Sequence, residues 1–183
     1  MLLVAAARCA VVDAPPEVTR LEIRAPDLTH PLSESYPVPS VPEDPVKKAV
    51  FQQINVDRAA HGLPPVAWDE AASRVADVFT AAQIREGTRG HFLLDGFPPY
   101  ARTGLAGIFG MGAENSVAWR TMGSGFQESP LDLALEGQAS MLAEKPPDDG
   151  HRLNILSSTF TRIGITVYRA GNGTVWLTQD FAN

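Results

Sequence analysis

With a single cysteine, Cys9, the chain can form no internal disulfide, so its fold does not depend on an oxidising compartment. Basic residues are also few. Fifteen Lys and Arg stand against 21 Asp and Glu, giving a formal charge of −6, and no Lys/Arg run occurs. The electrostatic footprint of a protein that binds nucleic acid or an anionic membrane is therefore missing. No stretch approaches the roughly 18 apolar residues of a transmembrane helix. Sequence motifs for chemistry are scarce too. There is no His-Glu-x-x-His, the glycines at 107, 110 and 112 lack dinucleotide-binding spacing, and Ser124 between Gly123 and Gly125 has no nucleophile elbow around it. What remains is an ordinary globular composition, 44% hydrophobic and 20% charged, long enough for one domain with a sizeable core and an extension.

Proline divides the chain. Eight of the fifteen prolines fall between Pro15 and Pro45, and each fixes its own φ and pushes the preceding residue away from helix. Residues 1–44 therefore read as an extended arm and 45–183 as the domain. Within the arm, Val18–Arg24 alternates weakly and allows a short strand, and His30 reads as a solvated loop residue. Met1–Ala7 is apolar but short, lacks a basic start and is interrupted by Arg8, which fits either a signal remnant or a plain tail.

From Val46 the apolar spacing becomes helical. Val46, Val50, Phe51 and Ile54 share a face, and Gly62, Pro64 and Pro65 end the helix. A second helix is expected after Trp68-Asp69, with Val75, Val78, Phe79 and Ala82 as its stripe and Gly87 as its stop. Residues 87–112, rich in Gly and Pro, read as a long ordered loop of the kind that often carries function. A third helix is expected over Leu131–Glu144, with Leu135, Ala139 and Leu142 on its apolar side and Pro146-Pro147 as its stop. The chain then ends in a hairpin. Ile163, Ile165 and Val167 alternate, Val175, Leu177 and Gln179 return, and Asn172-Gly173 supplies the turn. Asn172-Gly173-Thr174 also fits a glycosylation sequon.

Four segments together resemble the bacterial branch of the CAP superfamily, the SCP or pathogenesis-related domain. They are Asn55-x-x-Arg58 with His61-Gly-Leu-Pro-Pro-Val-x-Trp-Asp69, then Ala113-Glu114-Asn115, then Gly150-His151-Arg-x-Asn-Ile-Leu156, and last Ile163-Gly-Ile165 with Thr178-Gln-Asp-Phe181. They keep the family's order over about 135 residues, and the first 44 residues lie outside the resemblance. It implies an α+β fold: a three-layer α-β-α sandwich on a small, mostly antiparallel sheet. It also implies a cleft lined by two histidines and two acids. By motif position these are His91, Glu114, His151 and Glu144. Met141 stands where the family has an aromatic residue before the second acid, and Asp148 or Asp149 is the substitute acid if Glu144 points elsewhere.

Neutral imidazoles suit zinc and similar borderline cations, with carboxylates to complete or orient the site. Equally, each His can give a ring N–H to a carboxylate and form a metal-free network. The sequence allows both, with His91 and His151 as the ligands if a divalent cation such as zinc is held weakly. The same residues also have structural readings: Glu114-Asn115 as a bracket for the long loop, His151 with Asn154 as a loop lock, and His91 as the exit cap of the second helix. Ser157-Ser158 beside the Gly-His segment has no base fixed by sequence. With no complete catalytic constellation, the expected function is a binding module for a small-molecule, lipid or protein ligand, and the resemblance implies a secreted or envelope location. The alternative is a metal-assisted hydrolase of peptide or cell-wall material. An interaction role carried by the Pro-rich arm is the third.

Overall fold

A computed structural model describes residue 42 and residues 44–110, 112–119 and 129–183. The strand expected at Val18–Arg24, together with Cys9, His30 and Ser124, lies outside the described residues. Among the described residues nine elements follow in order: α1 (Pro45–Ala60), β1 (Ala67–Trp68), α2 (Glu70–Glu86), α3 (Pro99–Leu105), β2 (Gly112–Trp119), α4 (Pro130–Leu142), α5 (Gly150–Ile155), β3 (Arg162–Arg169) and β4 (Val175–Ala182). The starts of the long helices have local causes. Asp44 accepts from the N–H groups of Val46 and Lys47, Asp69 from Ala72 and Ser129 from Asp132, so each side chain satisfies first-turn donors that the helix cannot.

The sheet runs β1-β3-β4-β2. β3 and β4 form the expected hairpin, β2 lies antiparallel to β4, and β1 lies parallel to β3, so the sheet is mixed and mostly antiparallel. The hairpin turn differs in detail from the expected one. Gly173 alone takes a positive φ, at +84°, and the loop closes through Ala170 N–H to Thr174 O.

Side chains alternate across the sheet and so define two unlike faces. Ile163, Ile165, Leu177 and Phe181 face α1, α4 and α5 and pack with Val50, Phe51, Ile54, Met141 and Ile155 into the main core. The other face carries Gly164, Thr166, Thr178 and Asp180 and is covered by α2, which approaches through Ala72, Ser73 and Thr80. Ser73 Oγ donates to Ile165 O at 2.8 Å, and the Thr80 and Thr178 hydroxyls lie 2.8 Å apart. One layer is apolar and the other is small and polar, yet every residue of β4 is buried.

The structure corrects three sequence expectations. The 87–112 segment is not all loop: it contains α3 and runs directly into β2, neither of which was expected. Val75, Phe79 and Ala82 of the α2 stripe are buried, but Val78 is 46% exposed, because the buried face extends through Ser73, Ala76, Thr80 and Gln83. In α4 the fully buried residues are Leu133, Ala134, Gly137, Gln138 and Met141; of the expected face, Leu135 and Leu142 are half-buried against the same core and Ala139 is exposed. There Gly137 leaves room for the Trp119 ring, which a Cβ would overlap at 1.6 Å. Gln138 is buried because it is paired: its Nε2 donates to Asp57 and its Oε1 accepts from Gln179.

Candidate functional site: two histidine–carboxylate pairs at the sheet edge

All four expected site residues are held in pairs around β2, which is an edge strand of the sheet among the described residues. Glu114 projects from β2 directly opposite Asp180 of β4. Its Oε1 accepts from His91 Nδ1 at 2.9 Å and its Oε2 from Arg102 Nη2 at 2.5 Å. Arg102 comes from α3 and is 1% exposed. Its Nη1 donates to Phe97 O at 2.7 Å and His91 O at 3.2 Å, and its guanidinium lies over the Phe79 ring at 3.7 Å from the centroid. Arg102 thus grips His91 twice, through the backbone and through the carboxylate that holds the ring. Gln83 supports the entry to the same loop: its Nε2 donates to Gly90 O at 2.6 Å while its Oε1 accepts from Ser116 Oγ.

The second pair belongs to α5 and the turn before it. Glu144 Oε1 meets His151 Nδ1 at 2.5 Å, and Glu144 Oε2 accepts the backbone N–H of His151 at 3.0 Å and of Arg152 at 3.4 Å. One carboxylate therefore orients the ring and satisfies the first donors of the short helix. Asp149 pairs instead with Arg152, so no substitute acid is needed. Asn115 links the two pairs. It points to the opposite face from Glu114, donates to His151 O at 3.2 Å and to Gln179 Oε1 at 3.0 Å, and accepts from Asn154 at 2.9 Å. The bracket and loop-lock readings thus describe Asn115 and Asn154. Ser157 Oγ accepts from Thr159 N in a turn, and Ser157 O and Ile155 O are gripped by the buried Arg58 of the first motif.

The tautomers follow from chemistry. An ionised carboxylate can only accept, so Nδ1 carries the hydrogen in both rings, and a neutral ring leaves its lone pair on Nε2. Neither Nε2 has a hydrogen-bond partner among the described residues. Imidazole oriented by a carboxylate at one nitrogen and open at the other is the usual arrangement of a histidine ligand. Among the described residues no group of three or more His, Cys, Asp or Glu side chains is placed to hold a metal ion.

Sequence reasoning missed Arg102 and Asp180. Asp180 is 2% exposed, and its Oδ2 has no hydrogen-bond partner among the described residues. Burial, with the adjacent Glu114 carboxylate adding to it, pushes the Asp180 carboxyl well above the usual range, while Arg102 pulls the other way. A raised acid is favoured neutral in the folded state. Its contribution to stability is therefore full below the unfolded value, near ~4, and fades as pH rises through the folded value. Asp180→Asn removes that titration. Its stability relative to wild type, from urea unfolding at pH 4, 5.5 and 7, is expected to increase at each step. A constant difference would mean that Asp180 is ionised in the folded protein.

With this geometry in hand, comparison with known proteins fixes the class. The Cysteine-rich secretory protein (CAP) family profile matches residues 51–181, and the chain belongs to that family. No curated protein matches it. Among solved structures, an outer surface protein from Borrelia burgdorferi superposes with a TM-score of 0.61 at 15% identity, over 78% of this chain and 96% of that one. An extracellular SCP-domain protein from Bacillus anthracis gives 0.59 at 26% identity, over 79% of this chain and 45% of that one, so this chain spans under half of that protein. NaASP2, solved with Zn2+, gives 0.53 at 11% identity over 80% and 83%. No helix among the described residues is long and apolar enough to cross a membrane.

Proposed function

We propose that this CAP domain is an extracellular or envelope binding module whose two histidines present Nε2 to a divalent cation such as zinc. One observation carries this reading: each ring is fixed at Nδ1 by a carboxylate and open at Nε2. A metal-bound neighbour of the same fold, NaASP2, agrees with it. In that role Glu114 and Glu144 orient the rings, and Arg102 keeps Glu114 in place. The bound cation would supply a positive centre for an anionic or carbonyl group of a ligand.

The binding reading is favoured over metal-assisted hydrolysis because the carboxylates are occupied. Both oxygens of Glu114 and both of Glu144 already accept hydrogen bonds that orient the rings and the short helix, so neither carboxylate is set apart as a base for water. The ligand that the module recognises is a small molecule, lipid or protein, and nothing in its charge fits nucleic acid.

The test is zinc calorimetry near pH 7. With two imidazoles and solvent completing the shell, a Kd in the micromolar range or weaker is expected, about −8 kcal/mol at most. The His91→Ala/His151→Ala double variant is expected to give no binding heat, and Glu144→Gln to weaken binding about 10- to 100-fold. Equal heats from wild type and the double variant would remove the cation from the reading and leave the pairs as a structural network.

A further inference from the structure

A continuous row of side-chain hydrogen bonds crosses the main core from α1 to the second histidine. Asp57 of α1 stands at one end. Gln138 Nε2 donates to Asp57 Oδ2 at 2.9 Å, and Gln179 Nε2 donates to Gln138 Oε1 at 2.7 Å. Asn115 Nδ2 donates to Gln179 Oε1 at 3.0 Å and to His151 O at 3.2 Å. Asn154 Nδ2 donates to Asn115 Oδ1 at 2.9 Å. Gln138, Gln179 and Asn115 are fully buried, in the layer that holds Ile165, Leu177 and Met141. A carboxamide buried there costs free energy unless its bonds are made. Leu or Met would fill the same space without that cost, so packing alone does not account for these residues.

The row has a direction, because a carboxamide donates at one end and accepts at the other. A carboxylate can only accept, and both oxygens of Asp57 do, from Gln138 and from Gln53 Nε2 at 2.8 Å. Gln138 must therefore turn its NH2 to Asp57 and its oxygen to Gln179. Gln179 must then turn its NH2 to Gln138 and its oxygen to Asn115. That leaves the Asn115 NH2 to serve both Gln179 and His151 O, and its oxygen to receive Asn154. Reversing any one of the three amides sets NH2 against NH2 and oxygen against oxygen. The hydrogen that Asn115 offers to His151 is thus fixed from Asp57, on another element.

This matters because His151 has few anchors. Glu144 holds its ring and its N–H, and Asn115 holds its carbonyl to the sheet. Asn115 also follows Glu114 on β2, so the strand that carries one histidine pair fixes the backbone of the other. We infer that Asp57, Gln138 and Gln179 are positioning residues for His151, acting through Asn115. Their role in cation binding rests on the reading proposed above. A zinc–nitrogen bond is about 2.0–2.1 Å long, and a site of that kind needs its ligands placed within about 0.5 Å. Residues that touch neither imidazole then set whether both rings reach one ion.

The test reads two quantities on the full chain: amide NMR resonances of the Asn115 side chain and the His151 backbone, and zinc affinity by calorimetry. Gln138→Met keeps length and volume but loses both bonds. It is expected to move the Asn115 and His151 resonances, although Gln138 bonds to neither residue, and to weaken zinc about 10-fold. Asp57→Leu is expected to do the same from the end of the row, and carries the test if Gln138→Met does not fold. Asp57→Asn keeps an acceptor for Gln138 and turns its NH2 toward Gln53, whose half-buried amide can reverse to accept it. It is expected to keep the wild-type resonances and a zinc Kd within about twofold. Val50→Ala, in the same core but outside the row, is expected to lower Tm while leaving those resonances and the Kd unchanged, which separates positioning from stability. Unmoved Asn115 and His151 resonances in folded Gln138→Met or Asp57→Leu would overturn the inference. So would an unchanged zinc Kd in those variants, or Asp57→Asn as damaging as Asp57→Leu. If wild type itself gives no zinc heat, the cation reading fails and the resonances decide alone: shifts keep the positioning role at His151, and unmoved resonances remove it.

Discussion

Gly164→Ala is expected to lower stability by about 3 kcal/mol or more, a fall in Tm of about 6–12 °C or greater. Gly164 lies in β3 on the face that α2 covers. A Cβ there would sit 2.0 Å from Ser73 N and 2.1 Å from the carbonyl carbon of Ala72. Both are backbone atoms of a helix, so no rotamer change relieves the contact. The helix would have to lift from the sheet. That would break the bond from Ser73 Oγ to Ile165 O and the Thr80–Thr178 contact, because both need the present separation. The variant would also carry the displacement to the site, since Gln83 at the end of α2 braces Gly90 next to His91. Thermal unfolding and amide exchange in α2 check this. A variant with wild-type Tm would mean that α2 is less tightly seated than the structure gives.

This close helix–sheet contact explains why some of the protein was legible in its sequence and some was not. The α1 helix, the β3–β4 hairpin and the main core follow from apolar periodicity, because Ile163, Ile165, Leu177, Val50 and Ile54 bury one clear face of each element. The layer under α2 has no such signature. Gly164, Thr166, Thr178 and Asp180 look like the solvent side of an alternating hairpin but are buried beneath a helix. Val78 was expected inside and is outside for the same reason: the seat of α2 takes in Ser73, Ala76, Thr80 and Gln83 beside Val75 and Phe79. The face of α4 was found only in part: Leu135 and Leu142 do pack against the core, but Gln138 and Gly137 are buried by a hydrogen-bond chain and by Trp119, and neither scores as apolar. Helix α3 is seven residues long, contains Gly104, and is held down by Arg102 reaching a partner on another element, a tertiary cause that local pattern does not carry.

The site shows the same division. His91, Glu114, Glu144 and His151 were reached through family resemblance, since they come from separated segments with no local metal spacing. The resemblance supplied the positions but not the pairing, and it named neither Arg102 nor Asp180. Both are ionisable residues buried beside other ionisable groups. An arginine in a Gly/Pro-rich segment and an aspartate near the end of a strand read as solvated until their partners are known.

Arg102→Met is therefore the more informative of the two severe changes. Breaking a buried ion pair by removing one partner typically costs about 3–5 kcal/mol, because the remaining charge is left without compensation in a poor solvent for it. Here two acids remain, Glu114 and Asp180, and only Arg102 opposes the rise of Asp180. Met matches the length and apolar character needed over Phe79, so the loss reports mainly on charge and hydrogen bonds, including those to Phe97 O and His91 O. Adding Glu114→Gln to Arg102→Met is expected to recover part of the loss, since it removes the uncompensated charge; additive costs would mean that the two side chains act independently. The pair also separates stability from site geometry. The double variant regains stability but lacks the carboxylate that fixes the His91 ring, so its zinc affinity should remain reduced. If its affinity instead returned with stability, Glu114 would be a structural bracket and His91 would need no orienting partner.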